Sequence, residues 1–228
     1  MAAWDFFANV VQSVGAAGAD AFDRVRSAVG TGPEAREAAF SMAVVALAAK
    51  MAKADGVVTM AEANSFWQRF DVPSDAIRPV RRFFDLAQRD VSGFEAYAQK
   101  IARLFPDDEA LREEIIDILF AIAAADGVLH ENEDAFLERV AQIFELDPVR
   151  VQRIKARHVA ADNDPYLILG VEEEADLATV RRRWRALVIE HHPDKLIARG
   201  VSETFIQVAS DRLAAINAAY EAIERQRT

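Results

Sequence analysis

The residues of this sequence with the clearest chemical potential form the run EHHPDK, from Glu190 to Lys195. The run places imidazole next to carboxylate, which is a pairing used in acid–base catalysis and in metal sites. Its proline admits a simpler interpretation, because proline cannot continue a helix and restricts the residue before it. The run therefore fits a catalytic pair, a metal site or a plain helix end, and the rest of the chain must decide.

The rest of the sequence does not support catalysis or zinc binding at this run. General acid–base catalysis needs a third group and a pocket, and structural zinc needs four ligands. The chain has no cysteine and 4 histidines, of which His130 and His158 stand far from the run. It also shows no Gly-rich phosphate loop, nucleophile elbow or H-E-x-x-H motif. We therefore expect a protein that is not an enzyme.

The composition favours a folded, all-α protein that does not bind nucleic acid. The 228 residues suffice for two domains, 52% are hydrophobic, and glycine and proline are sparse. The formal charge of −10 disfavours nonspecific binding to nucleic acid, which needs a basic surface to displace counterions. Because cysteine is absent, a reducing compartment is favoured and we expect a cytoplasmic protein.

Residues 1–32 form an amphipathic N-terminal segment. The segment lacks the basic start of a secretory signal and a membrane span of roughly 20 apolar residues. One helical face carries the apolar side chains Trp4, Phe7, Val10, Val11 and Val14. Packing of this face on the protein's own core is the favoured interpretation. Docking on a partner, or peripheral contact of residues 1–28 with the cytoplasmic face of a membrane, is the alternative.

Residues 33–158 are predicted to form a helical bundle of about seven helices built from two similar halves. A first long helix ends at Asp55-Gly56, and Thr59 with Glu62 forms a capping box for the next one. The stretch A-D-G-V recurs at Ala125–Val128, again before an acidic helix start. Residues 159–163 end a polar stretch before Asp164-Pro165 and are predicted to be a linker.

Residues 164–228 are predicted to form an antiparallel helical hairpin. Its first long helix runs from about Leu177 to His191, with an apolar face made of Leu177, Val180, Trp184, Leu187 and Val188. Arginines cover the other faces of this helix. The second long helix offers a packing seam of Phe205, Ala209, Leu213, Ile216, Tyr220 and Ile223. Pro193 turns the chain, so a loop carrying His192-Pro193-Asp194 is expected between the helices.

These C-terminal residues resemble the J domain of DnaJ-like co-chaperones. The matching features are Tyr166, Leu169-Gly170-Val171, the basic helix, His192-Pro193-Asp194-Lys195 and Ile216-Asn217-x-Ala219-Tyr220-Glu221. The resemblance implies binding to a DnaK-class chaperone ATPase and stimulation of its ATP hydrolysis. The residues implied in partner binding are His192, Pro193, Asp194, Lys195, Arg181, Arg182 and Arg185. The arginines would meet an acidic partner surface.

The repeated A-D-G-V stretch with its acidic helix starts resembles the TerB-like helical domain of tellurite-resistance proteins. A TerB-like domain before a C-terminal J domain, together with the extended run HHPDKLIARGVSE, resembles the DjlA subgroup of co-chaperones. In that arrangement, the TerB-like domain would provide targeting or the selection of unfolded or specific client proteins.

The TerB resemblance also implies a candidate divalent-cation site. Its carboxylates would be Asp55, Glu62, Asp126 and Glu133. If the two halves pack about a pseudo-twofold axis, these oxygens converge and suit Ca²⁺ or Mg²⁺. The alternative is structural, because Asp-Gly forms turns and acidic side chains complement a helix N-terminus. A metal-responsive or stress-related adaptor with a structural J domain is therefore a second functional hypothesis.

Four residues depart from the J-domain pattern. Trp184 and His191 stand where tyrosines are more common, and Leu213 stands where phenylalanine is usual. We expect these three to be packing substitutions. Glu190 replaces a common lysine, so it subtracts positive charge beside the motif and could weaken or redirect the choice of partner.

Overall fold

The structure is a computed structural model that describes residues 2–13, 32–54, 72–89, 93–126, 128–159, 164–201 and 203–227. Its helices are α1 Ala2–Ser13, α2 Pro33–Ala54, α3 Ile77–Arg89, α4 Phe94–Leu104, α5 Glu109–Ala123, α6 Glu131–Ile143, α7 Pro148–His158, α8 Pro165–Leu169, α9 Leu177–Glu190, α10 Pro193–Arg199 and α11 Ile206–Gln226. Short 3₁₀ turns occupy Ala124–Asp126 and Glu203–Phe205. The described residues contain no β-strand, and the all-α prediction is confirmed.

Helices α1–α7 form the N-terminal bundle, with α2 at its centre. This helix contacts α1, α3, α4, α5 and α6, and every residue from Ala38 to Met51 is buried. A helix that is apolar on all sides belongs inside a protein, because it has no face that favours water. Its many alanines leave room for close neighbours, so α2 organises the core around which the other helices pack.

The apolar face predicted on the N-terminal segment packs on this bundle. Trp4, Phe7 and Val11 of α1 are buried, and the Phe7 ring meets the Phe83 ring edge-on with centroids 5.6 Å apart. Val14 lies outside the described residues. The face is therefore used for packing in the protein's own core, which was the favoured interpretation. No described helix combines the length and the apolar character needed to cross a membrane.

Aspartate caps set the starts of several helices. The Asp108 carboxylate accepts a hydrogen bond from the Leu111 amide at 3.0 Å, before α5. Before α7, the Asp147 carboxylate accepts from the Val149 amide at 3.1 Å. Each cap satisfies an amide that has no partner inside its own helix. Local sequence thus fixes where α5 and α7 begin.

Helices α8–α11 form the C-terminal hairpin, in which α9 and α11 run antiparallel. Val180 and Leu187 of α9 are buried with Ile216 and Ile223 of α11. Leu177 does not belong to this core, since it is 38% exposed. The predicted apolar face of α9 therefore begins at Val180, one turn later than expected.

The two units share packing through the first part of α11 and the 3₁₀ turn that precedes it. Phe205 is buried in the core of the N-terminal bundle, and its ring meets the Phe40 ring edge-on with centroids 5.8 Å apart. Val208 and Ala209 are buried in the same core. The seam predicted along α11 is therefore divided. Its beginning packs on the bundle, and only its later part packs against α9.

Candidate functional site

The His-Pro-Asp stretch lies at the start of a short helix rather than on an open loop, which corrects the sequence prediction. His192 is the N-cap of α10, and Pro193 occupies its first turn. Proline suits this place because its fixed φ is helical and its missing N–H has no partner there anyway. The Nδ1 of His192 accepts a hydrogen bond from the Asp194 amide at 3.2 Å. The backbone of the motif is therefore set by helix initiation.

The two polar side chains of the motif face solvent. The His192 side chain is 52% exposed and the Asp194 side chain is 86% exposed. Because Nδ1 of His192 accepts a backbone hydrogen bond, the neutral ring carries its proton on Nε2 and can donate it outward. The solvated Asp194 carboxylate can accept paired hydrogen bonds from a guanidinium. Lys195 is exposed beside them.

The arginines of α9 form a cationic surface next to this motif. Arg181, Arg182 and Arg185 are all exposed. The Nε of Arg181 donates to the Tyr220 hydroxyl at 3.1 Å, and Nη2 of Arg182 donates to the Thr179 hydroxyl at 3.1 Å. These bonds orient two of the guanidinium groups at the surface, where Nη2 of Arg181 also pairs with Glu224 at 3.4 Å. We call the exposed side chains of Arg181, Arg182 and Arg185, together with those of His192 and Asp194, the docking face.

A second group of side chains joins α9 to α11. The Trp184 and Tyr220 rings stack with centroids 4.6 Å apart and an interplanar angle of 18°. The Trp184 Nε1 donates to the Asn217 side-chain oxygen at 2.8 Å. Trp184 therefore acts as a packing residue, as expected from the sequence. Asn217 and Tyr220 fix the relative position of the two long helices.

The predicted divalent-cation site stays a prediction. Asp55 and Glu62 lie outside the described residues, as does Thr59 of the predicted capping box, and the side chain of Asp126 is not described. Glu133 accepts a hydrogen bond from the His130 amide at 3.2 Å, as a capping residue of α6 does. The residues that the structure describes contain no group of three or more candidate metal ligands.

A buried charge network joins the hairpin to the bundle. Arg212 of α11 is 1% exposed, and its two Nη groups donate to both carboxylate oxygens of Glu114 at 2.7 and 2.6 Å. Its Nε lies 3.0 Å from Oδ2 of Asp117. The other carboxylate oxygen of Asp117, Oδ1, accepts a hydrogen bond from Nη2 of Arg157 at 3.1 Å and lies 2.9 Å from Nε2 of His158.

The protonation states of this network follow from burial and from its arginines. Burial raises the pKa of Asp117, but the Arg212 and Arg157 charges outweigh that effect and hold the pKa well below its usual range. The pKa of His191 is lowered to about 3, mainly by burial and to a smaller extent by the charges of Arg212 and Arg157. Neutral His191 therefore accepts a hydrogen bond through Nδ1 from Nη1 of Arg212, 2.9 Å away.

Comparison with known proteins places both units in families. Residues 41–156 match the family model described as tellurite resistance protein TerB, and residues 164–227 match the model of the DnaJ domain. The chain belongs to the TerB family and carries a DnaJ domain. The TerB domain lies within the N-terminal bundle, and the C-terminal hairpin is the J domain. The predicted order of the two domains is confirmed.

The chain is also similar over most of its length to proteins named co-chaperone protein DjlA. It is 27% identical to the one from Photobacterium profundum over 221 residues, 85% of this chain and 80% of the relative. It is 24% identical to the one from Salmonella typhimurium over 235 residues, 90% and 87% of the two chains. Identity reaches 30% with the Haemophilus influenzae protein over 139 residues, 44% and 48% of the two chains. No solved structure gives a significant match.

The interdomain charge network is the feature that sequence reasoning missed. The spacing along α11 selected Leu213 as a seam residue, whereas Arg212 is buried and Leu213 is half-buried. A signal did exist, because Asp117 stands in the otherwise apolar stretch from Ile115 to Ala123, three residues after Glu114. Buried carboxylates need cationic partners. Since Arg212 lies 98 residues from Glu114, spacing alone could not identify it as that partner.

Proposed function

We propose that this protein is a co-chaperone that binds a DnaK-class chaperone ATPase through its J domain and stimulates ATP hydrolysis by that partner. The observation that carries the proposal is the exposed His192-Pro193-Asp194 motif at the start of α10, within a matched DnaJ domain. Similarity to co-chaperones named DjlA over most of the chain supports the same role.

The geometry of the motif suits action on another protein's active site. Asp194 is solvated and can accept a bidentate, charge-assisted pair of hydrogen bonds from a partner arginine. His192 offers an Nε2 donor beside it, and Pro193 fixes the backbone of both. A catalytic pair would instead need enclosure and a third group to orient it. We therefore assign the motif to docking and to the adjustment of the partner's catalytic residues.

The cationic surface of α9 provides encounter and orientation. Arg181, Arg182 and Arg185 would face an acidic surface of the ATPase, where complementary charges raise the association rate. Exposed ion pairs contribute about 0.2–1 kcal/mol each. Loss of one arginine should therefore weaken binding a few-fold at most. Glu190 is exposed at the end of the same helix and subtracts from this positive field.

The TerB domain would select the place or the client on which the chaperone acts. Arg212 ties the J domain to α5 of the bundle, while the docking face remains exposed. A chaperone ATPase can therefore reach the J domain while the TerB domain is packed against it. Whatever the TerB domain binds would then be held in a fixed relation to the recruited ATPase.

The test is stimulation of a DnaK-class ATPase by the full chain and by His192→Gln. We expect the variant to fold normally and to stimulate ATP hydrolysis at least tenfold less than the wild type, because glutamine does not reproduce the ring geometry at the N-cap. The matched control is His130→Gln, a change at an exposed histidine of the TerB domain. Stimulation by His192→Gln at the wild-type level would refute the proposal.

A further inference from the structure

A cleft of about 130 Å³ lies between the TerB domain and the J domain and is rich in arginine. Arg150, Arg153 and Arg157 line it from α7 of the TerB domain, and Arg183 lines it from α9 of the J domain. The three arginines of α7 share one helical face, since they stand three and four residues apart. The cleft thus gathers guanidinium groups from both domains.

Two buried donors in this cleft lack acceptors. In the described part of the chain, the Nε atoms of Arg153 and Arg157 are buried without a hydrogen-bond partner. The Arg157 side chain is 4% exposed, and its Nη2 is taken by Asp117. Arg183 donates through Nε to the Leu169 carbonyl oxygen at 3.1 Å and has further N–H groups. Buried donors without acceptors are unfavourable, so these groups favour an anionic ligand.

The Arg153 side chain packs against a glycine of the J domain. Gly170 has φ 64, a left-handed conformation that favours glycine. A Cβ atom at this position would lie 2.3 Å from Cζ of Arg153. The guanidinium group therefore lies directly against the Gly170 backbone. Glycine at this position therefore leaves the space that one of the candidate ligand groups occupies.

The carboxylates that line the cleft do not supply the missing acceptors. Glu113 accepts a hydrogen bond from Nη1 of Arg150 at 3.4 Å, and burial raises the pKa of its carboxyl group. Glu190 is exposed at the edge. His191 accepts through Nδ1 from Arg212, so the proton of its neutral ring lies on Nε2 and adds another donor.

We propose that this interdomain cleft binds a free tetrahedral oxyanion of the phosphate class, held by Arg153 and Arg157 of the TerB domain and Arg183 of the J domain. Guanidinium groups suit such ions because their fixed forks of N–H donors match the oxygens of phosphate. Pockets for drug-sized molecules begin at about 300 Å³. The smaller volume of this cleft therefore suits the ion itself rather than a nucleotide. Bound phosphate would link the two domains.

The experiment is calorimetric titration of the full chain with inorganic phosphate at constant ionic strength. We expect one saturable site in the wild type and at least tenfold weaker binding by Arg153→Gln and by Arg183→Gln. Arg139→Gln is the matched control, because Arg139 is an exposed arginine of α6 that bonds to Gln142 and does not line the cleft. This control should bind phosphate like the wild type.

A second readout keeps the test decisive if one variant is unstable. Phosphate should raise the thermal unfolding midpoint of the wild type and of Arg139→Gln more than that of either cleft variant. Circular dichroism reports whether each variant is folded. The proposal is overturned if the wild type shows no saturable phosphate binding. It is overturned equally if both folded cleft variants bind phosphate with wild-type affinity.

Discussion

His191 and His192 are neighbours in sequence with opposite environments. The His192 side chain is half exposed at the start of α10, whereas His191 is 5% exposed against Arg212. Burial and the nearby arginine charges lower the pKa of His191 to about 3, so it is neutral under ordinary conditions. One histidine thus belongs to the docking face, and the other belongs to the contact between the domains.

The low pKa of His191 predicts a pH dependence of stability. A histidine in the unfolded chain titrates near 6.5, and His191 in the folded protein titrates at about 3. Between these values the unfolded state binds more protons, so the free energy of unfolding falls as the pH is lowered from 6.5. The contribution from this one residue approaches about 1.4 kcal/mol per pH unit.

The measurement is denaturant unfolding of the wild type and His191→Gln between about pH 5 and pH 7, above the range in which carboxylates in the unfolded chain titrate. The variant lacks the titrating ring, so its unfolding free energy should fall less steeply as the pH is lowered. Equal pH slopes for the two proteins would show that His191 is not the responsible group.

At the residue scale, sequence reasoning succeeds where chemistry is local. Pro193 indicates a break after α9, and the structure places it in the first turn of α10. The short helix itself was not foreseen, because a proline signals the end of one helix as readily as the start of another. The environment of His191 could not be foreseen either. It depends on Arg212 and on Glu114 of another domain.

At the scale of the element, α11 contributes to two cores. Val208 and Ala209 pack in the core of the bundle, whereas Ile216 and Ile223 pack in the core of the J domain. The apolar period along α11 predicts a helix with a buried stripe. It does not reveal the partner of each turn, because the 3.6-residue period is the same whichever element covers it.

The packing of the J domain predicts unequal effects of truncating a buried and an exposed isoleucine. Ile216→Ala removes a fully buried side chain from the J-domain core and should lower the free energy of unfolding by about 2–5 kcal/mol, through lost burial and a residual cavity. Ile189→Ala on α9 alters a side chain that is 61% exposed and should change the free energy of unfolding by less than about 0.5 kcal/mol. Urea unfolding followed by circular dichroism measures both, and similar losses would contradict the described packing.

At the scale of the whole molecule, the two domains pack as one unit with a common interior. The Phe40–Phe205 ring contact and the Arg212 network cross between the domains, and the Nε of Arg36 donates to the Arg199 carbonyl oxygen at 2.9 Å. Sequence composition indicated two domains joined by a linker. It could not indicate this contact, because the residues that make it are far apart in the chain.

The interdomain network predicts a large effect of removing its central cation. Arg212→Met leaves Glu114 and Asp117 buried without their main partner, which should cost about 3–5 kcal/mol of unfolding free energy. Arg225→Met is the matched control on the same helix, since Arg225 is exposed and should be nearly neutral. Chemical denaturation compares the two variants. A loss below about 1 kcal/mol for Arg212→Met would show that the network does not stabilise the domain contact.

The proposed action of the whole molecule on its partner can be measured as single-turnover ATP hydrolysis by a DnaK-class chaperone. The rate is measured for the chaperone alone and then with the wild-type protein, with Asp194→Asn or with Asp211→Asn. The last variant is the matched control, because Asp211 is an exposed aspartate of α11. We predict that the wild type and Asp211→Asn accelerate hydrolysis and that Asp194→Asn does not, because the amide cannot accept a bidentate ionic pair. Failure of the wild type to accelerate hydrolysis, or full acceleration by Asp194→Asn, would contradict the account.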